Sequence, residues 1–277
     1  MRFRKIYVEI SNFCNLQCSF CPKTGRPPRR MTPEEFSSLL PKLRPYTDFL
    51  YFHVMGEPLC HPELADFLRL AGDAGFKVIL TTNGTLLRSR QELLLNVPAL
   101  HKVNISLHAF EANDLAVPFS QYLDDCFTFG TAAGGRKLVV YRLWNQGGAD
   151  RRNQQILEKM HHAFPGEWIV ERQGTRLAHW TYLEYGDKFD WPDLTAPEGS
   201  DRVFCYGLRD QLGVLCDGTV VPCCLDHEGD IALGNLFRQP MEEILDSPRA
   251  QAIYRGFSGD KAVEPLCRRC GYARRFR

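Results

Sequence analysis

The chain has 277 residues, 44% of them hydrophobic and 24% charged, with a net charge of +1. That is enough for one large domain, or one and a half, around a substantial core, and the charge balance points to neither a nucleic-acid nor a membrane partner. No apolar run approaches the ~20 residues of a bilayer span, and the opening MRFRKIYVEI lacks the apolar core of a signal peptide, so a cytoplasmic protein is expected.

In chain order, strands are expected at 5–10, 49–54, 77–82, 102–107, 137–143 and 168–171, with helices at 33–43, 62–74, 88–96, 119–132 and 151–163. Thr32, Pro33 and Glu35 supply a capping box for the first helix. Strands alternating with helices read as βα units on a parallel sheet, too few here for a full eight-fold barrel. Residues 174–202 break the rhythm and are expected to be an ordered linker with little regular structure. Beyond it, Asp217-Gly218 between apolar runs at 211–216 and 219–223 marks a hairpin, and short helices are expected at 241–245 and 248–254.

Eleven cysteines without an export signal read as metal ligands rather than disulfides. Cys14, Cys18 and Cys21 form a C-x3-C-x2-C triplet just after the first strand. Iron–sulfur cubanes normally take four thiolates, so three leave one iron open. Structural zinc is the alternative, but it wants four ligands, and the nearest histidine is His53. Cys60 and Cys126 are isolated and are expected to be buried thiols. A second set near the C-terminus comprises Cys205, Cys223, Cys267 and Cys270, with Cys216 and Cys224 competing for the place of Cys223.

The triplet, followed by Gly56-Glu57-Pro58, Thr82-Asn83-Gly84 and Ser106-Leu107-His108 at successive strand ends, resembles the radical S-adenosylmethionine (SAM) superfamily. The resemblance implies a partial (βα)6 TIM-like barrel over residues 1–173, with SAM chelating the open iron of a [4Fe-4S] cluster. It implies that Phe20 leans on the adenine, that Gly56 and Glu57 bind the methionyl amine, and that Asn83, Ser106 and His108 line the cofactor. Arg142 is a candidate partner for the SAM carboxylate, with a solvated surface arginine as the alternative. The implied reaction begins with an electron from a flavodoxin- or ferredoxin-type donor and yields a 5′-deoxyadenosyl radical that abstracts hydrogen from a substrate C–H bond.

The stretch Gly218-x4-Cys223 and the segment 232–245 resemble the SPASM/twitch extensions. That implies a small α+β module over 205–277, after a linker at 174–204, holding one auxiliary [4Fe-4S] cluster on Cys205, Cys223, Cys267 and Cys270. Zinc is the alternative there, since four thiolates also satisfy it. The spacing is similar to that of aminocyclitol dehydrogenases, in which the auxiliary cluster accepts an electron. Two departures stand out: Gln146 replaces an arginine of that group, and Asp226 alone remains of two acids after Cys223. Asp226 is the candidate catalytic base, although a carboxylate there could also cap a turn. A small polar substrate is expected; a peptide or protein substrate is the alternative. RNA modification is a third reading, resting on Arg26, Arg29 and Arg30 and on the tail Arg268, Arg269, Arg274, Arg275 and Arg277.

Overall fold

The computed structural model describes residues 2–113, 117–148 and 150–276. Its first half is built as the alternation demands: β1 (Lys5–Val8), α1 (Pro33–Leu43), β2 (Phe49–Phe52), α2 (Leu64–Asp73), β3 (Lys77–Thr82), α3 (Leu87–Asn96), β4 (Leu100–Ser106), α4 (Phe119–Ala133), β5 (Leu138–Gln146) and α5 (Asn153–Ala163). The capping box on α1 forms as expected, with Thr32 and Glu35 each accepting the other's amide. Strands β1 to β5 pair in parallel in sequence order.

The sixth barrel strand is a correction to the sequence reading. Residues 169–171 do form a strand, β6 (Ile169–Glu171), but it runs antiparallel to β7 (Gly174–Ala178) at the sheet's edge. The barrel strand is instead β8 (Thr181–Asp187), which pairs parallel to β5 and lies inside the stretch expected to be an irregular linker. The β7–β8 turn is hidden because its left-handed position is filled by Trp180 (φ 57°), where glycine or asparagine would normally announce it. Irregular chain occupies only 188–208 or so before the C-terminal strands.

The C-terminal part contains β9 (Gln211–Val214), β10 (Thr219–Val221), β11 (Gly234–Asn235), α6 (Met241–Asp246), α7 (Pro248–Ser258) and α8 (Pro265–Arg268). The Asp217-Gly218 hairpin is formed, with Gly218 at φ 84°. Strand β9 pairs parallel to β1, so both parts share one 11-stranded sheet, ordered β11-β10-β9-β1-β2-β3-β4-β5-β8-β7-β6.

Side chains alternate across this sheet. Ile6, Val8, Leu50, Phe52, Val78, Leu80, Val103, Ile105, Val139, Tyr141 and Leu143 face the helices and form the main core. The opposite face, lining the barrel lumen, carries Lys5, Tyr7, Tyr51, His53, Thr81, Lys102, Asn104, Arg142 and Glu184. Parallel strands are usually apolar on both faces. A polar lumen therefore marks the place where the sheet does chemistry.

Candidate active site

The cluster loop leaves β1 and is held at its base by the strand ends. The Glu57 amide donates to Phe13 O at 2.8 Å. Gly56 sits at φ 79°, where any Cβ would overlap the Ser11 and Phe13 carbonyls. That position admits only glycine, because the loop backbone lies directly on it. Glu57 is buried and accepts the amides of Leu59 (3.0 Å) and Asn83 (2.7 Å), which ties the GEP turn to the TNG turn. Burial pushes its carboxyl up to about 7 despite those donors.

Three thiols emerge from this base, all half-buried. Cys14 Sγ accepts from the Leu16 amide at 3.4 Å, and Asn83 Nδ2 approaches it at 3.9 Å. Cys18 Sγ accepts from Asn113 Nδ2 at 3.1 Å. Asn113 also accepts the Gln17 amide at 2.8 Å, so it holds both the loop backbone and a thiol. Sequence reasoning missed Asn113, since it lies 95 residues from Cys18 and carries no motif. Burial raises Cys14 to about 11 and raises Cys18, each further opposed by the neighbouring thiol. Ionisation of Cys14 and Cys18 together calls for a compensating cation, which a cluster provides.

Around the loop, Phe20 packs on His108 with ring centroids 5.1 Å apart. His108 Nδ1 lies 3.0 Å from Arg142 O and 3.4 Å from the Trp144 amide. Burial lowers this imidazole to about 4, so it is neutral. Ser106 stands at the end of β4, in register with Arg142. Phe20, Gly56, Glu57, Asn83, Ser106 and His108 thus meet at the C-terminal ends of β2, β3 and β4.

Arg142, the candidate partner for the SAM carboxylate, has a carboxylate of the protein within reach. On the period-two pattern it faces the lumen, where Glu184 on β8 is directly in register; their Nε–Oε2 distance is 3.2 Å. Its guanidinium also lies 4.5 Å from the Trp144 ring. Cys60 is a departure: it is half-buried beside Phe13 and Arg90, whereas Cys126 is fully buried as expected.

The second thiol set lines a cavity of about 260 Å³, where Cys205, Cys223, Cys267 and Cys270 meet. Cys205 Sγ accepts the Gly207 amide at 3.3 Å. Burial and mutual repulsion raise all four thiols, Cys205 to about 11. The competition left open by the sequence resolves by direction. Cys216 lies elsewhere, 3.9 Å from Arg26, and Cys224 turns to the lumen side, where Tyr7 donates to its sulfur. Asp226 lines the same cavity, but both its oxygens accept amides, from Asp230 and Ile231 at 2.9 Å each. Burial raises it to about 6. It braces the turn after the hairpin, the alternative that the sequence leaves open beside a catalytic base.

A buried ion pair joins the two regions. Glu9 is wholly buried and bidentate to Arg26 (2.7 and 2.8 Å), and it accepts the amides of Met55 and Cys216 at 3.1 Å. Arg26 donates on to His227 O at 2.8 Å. The basic tail is no open patch: Arg268 and Arg269 both pair with Glu198, while Arg277 lies outside the described residues.

The radical SAM superfamily model matches residues 8–163, more than half of the chain, and the SPASM iron–sulfur cluster-binding domain matches residues 205–271. The chain belongs to the radical SAM superfamily. The enzyme therefore uses SAM with a [4Fe-4S] cluster, and the SPASM domain implies further iron–sulfur ligation. An AdoMet-dependent heme synthase of Methanosarcina barkeri is 28% identical over an alignment covering 97% of this chain and 88% of that protein. A probable GTP 3′,8-cyclase of Methanocaldococcus jannaschii is 35% identical over 38% of the chain, and a tungsten-containing aldehyde ferredoxin oxidoreductase cofactor-modifying protein of Pyrococcus furiosus 29% over 50%. The chain spans only 36% and 38% of the length of those two relatives. In fold it resembles BtrN, solved in complex with AdoMet and 2-DOIA, at a TM-score of 0.63 and 19% identity over 98% of this chain and 94% of that one. It also resembles anSMEcpe with bound AdoMet, at 0.64 and 14% over 90% and 82%. The chain contains no described helix long and apolar enough to cross a membrane.

Both thiol sets are half-buried and each includes sulfurs that accept N–H donors, while among the described residues no three Cys, His, Asp or Glu side chains are grouped as they would be around a single metal ion.

Proposed function

We propose that this radical SAM enzyme oxidises or rearranges a small polar molecule held in the barrel lumen, between a SAM-binding cluster and one auxiliary cluster. The observation that carries this reading is the meeting of the two thiol regions. Cys21 and Cys224 pack on the same small apolar cluster, built from Tyr7, Val54, Met55, Leu215 and Val221. When bound, SAM on a reduced cluster supplies a carbon-centred oxidant for C–H bonds, and an auxiliary [4Fe-4S] cluster supplies a one-electron acceptor.

The chain's own groups then have separable tasks. Cys14, Cys18 and Cys21 hold the first cluster, and Glu57, Asn83, Ser106 and His108 shape the cofactor pocket with Phe20 as its apolar wall. Cys205, Cys223, Cys267 and Cys270 hold the second. The lumen aromatics Tyr7 and Tyr51 exclude water from the reacting carbon. The core runs to β8 and the auxiliary module from Cys205 onward. A flavodoxin- or ferredoxin-type carrier supplies the electron.

Anaerobic reconstitution tests this directly. The wild type is expected to take up about eight irons, and a Cys267→Ser/Cys270→Ser protein about four. The double variant should still release 5′-deoxyadenosine from SAM with dithionite, and Cys18→Ala should not. About four irons with bound zinc in the wild type would sink the two-cluster reading.

A further inference from the structure

We infer that the substrate is an anion, bearing a carboxylate or a phosphate, whose charged end sits in the barrel lumen on Lys5, Lys102 and Arg142. This rests on the lumen being the substrate chamber.

The charge count there is unbalanced. Among the described residues Glu184 is the one carboxylate paired with these cations, shared by Arg142 (3.2 Å) and Lys102 (3.8 Å). Lys5 has no carboxylate within ion-pair distance among the described residues; neighbouring Asp210 pairs with Arg4 at 3.5 Å, and Lys5 also borders the cavity of the second thiol set. Its ammonium lies 5.4 Å from the Tyr7 ring and 5.6 Å from the Tyr51 ring. Cation–π contacts hold a cation in place without neutralising it. His53, the nearest imidazole, is held neutral by burial, its pKa lowered to about 3. Three cations against one anion is a costly arrangement inside a protein unless a ligand completes it.

Unsatisfied polar atoms point to the same space. Three buried side-chain atoms lack a hydrogen-bond partner among the described residues, and two of them, His53 Nδ1 and Asn104 Oδ1, face this lumen. Asn104 is fully buried and spends its amide on Thr81 Oγ1 at 3.2 Å, leaving its oxygen over. Buried polar atoms normally find partners, so two left over together mark a place for a bound molecule. The lower part of the lumen opens as a cavity of about 390 Å³ reaching Lys102, Tyr182 and Glu184. Tyr7 and Tyr51 flank Lys5, and Trp144 lies against Arg142, so the complement of these cations is a charged group on a flat or apolar body. At the rim a fourth cation, Arg275, lies 5.7 Å from the Trp144 ring.

Benzoate, phenyl phosphate and neutral benzamide share a ring and differ in charge, so they separate the terms. Anaerobic calorimetry on the cluster-loaded, SAM-bound protein, without reductant, should show saturable binding of benzoate or phenyl phosphate about tenfold or more tighter than benzamide. Which anion binds better distinguishes a carboxylate from a phosphate substrate. Lys5→Met and Lys102→Met should each cost that anion about tenfold, and Lys102→Met, which lies away from the thiol cavity, should leave iron content and SAM affinity unchanged. Benzamide binding as tightly as both anions, no saturable anion binding, or anion affinity unchanged in both variants would overturn the inference. Dithionite-driven SAM cleavage is read separately and reports on the radical SAM assignment alone.

Discussion

Glu57 shows how one residue can be legible as a motif and yet act through an unforeseen contact. The GEP triplet marked the strand end, but the carboxylate spends its two oxygens on the Leu59 and Asn83 amides and so fixes two turns at once. Its burial has a measurable consequence. The folded-state value of about 7 lies above the ordinary 4.5, so between those values the folded protein holds a proton that the unfolded chain releases. Stability contributed by this group is therefore full below pH 4.5 and is lost as pH rises to 7, by up to on the order of 1.4 kcal/mol per pH unit. Urea unfolding of the SAM-free protein at pH 5 and pH 7 should show this loss in the wild type. Glu57→Gln, which cannot titrate, should lack that component, and identical pH slopes in the two proteins would refute it.

Among elements, the return arm of the cluster loop matters most, because it bolts the barrel to the C-terminal module. Arg26 neutralises Glu9 where no water reaches, and Arg29 donates to Cys216 O at 2.8 Å and pairs with Glu35. Removing one partner of such a pair strands a buried charge. Arg26→Met is expected to destabilise the protein by about 3–5 kcal/mol, and Glu9→Gln/Arg26→Met to recover part of it. Urea denaturation of the single and double variants measures both. Equal losses in the two would mean that charge is not the cause.

This latch was invisible in the sequence, where Arg26 counted only among the cations behind the RNA reading. Its partners lie 17 and about 190 residues away. The βα units were legible because their cues are local: alternation, capping boxes and turn residues. The β6–β7–β8 meander was not, since Trp180 occupies the turn position that glycine would have flagged. Arg142 was placed on the right strand end, but its pairing with Glu184 was not legible, because sequence shows neither the facing strand nor its register. Cysteine spacing together with the family resemblance singled out the two thiol sets. Choosing among Cys216, Cys223 and Cys224 required the directions that the hairpin gives them.

At the scale of the molecule, two family matches separated by 41 unmatched residues, 164–204, could suggest two detachable domains. The sheet argues otherwise. Strand β9 pairs with β1 along all four residues from Lys5 to Val8, and the buried Glu9 takes an amide from Cys216. Lys42 of α1 donates to Leu236 O, and Gly25 donates to Glu228 at 3.0 Å. Removing residues 205–277 would bare the backbone edge of β1 together with the apolar surface that Leu212, Val214 and Ile244 now cover. An exposed, flat, apolar edge is a template for aggregation. A fragment of residues 1–204 is therefore expected to enter the insoluble fraction on expression, although it contains every residue of the SAM pocket. Gel filtration and circular dichroism check the outcome. A soluble, monomeric fragment with native-like helix content would show that the barrel folds alone and that the shared sheet is only an interface between two independent units.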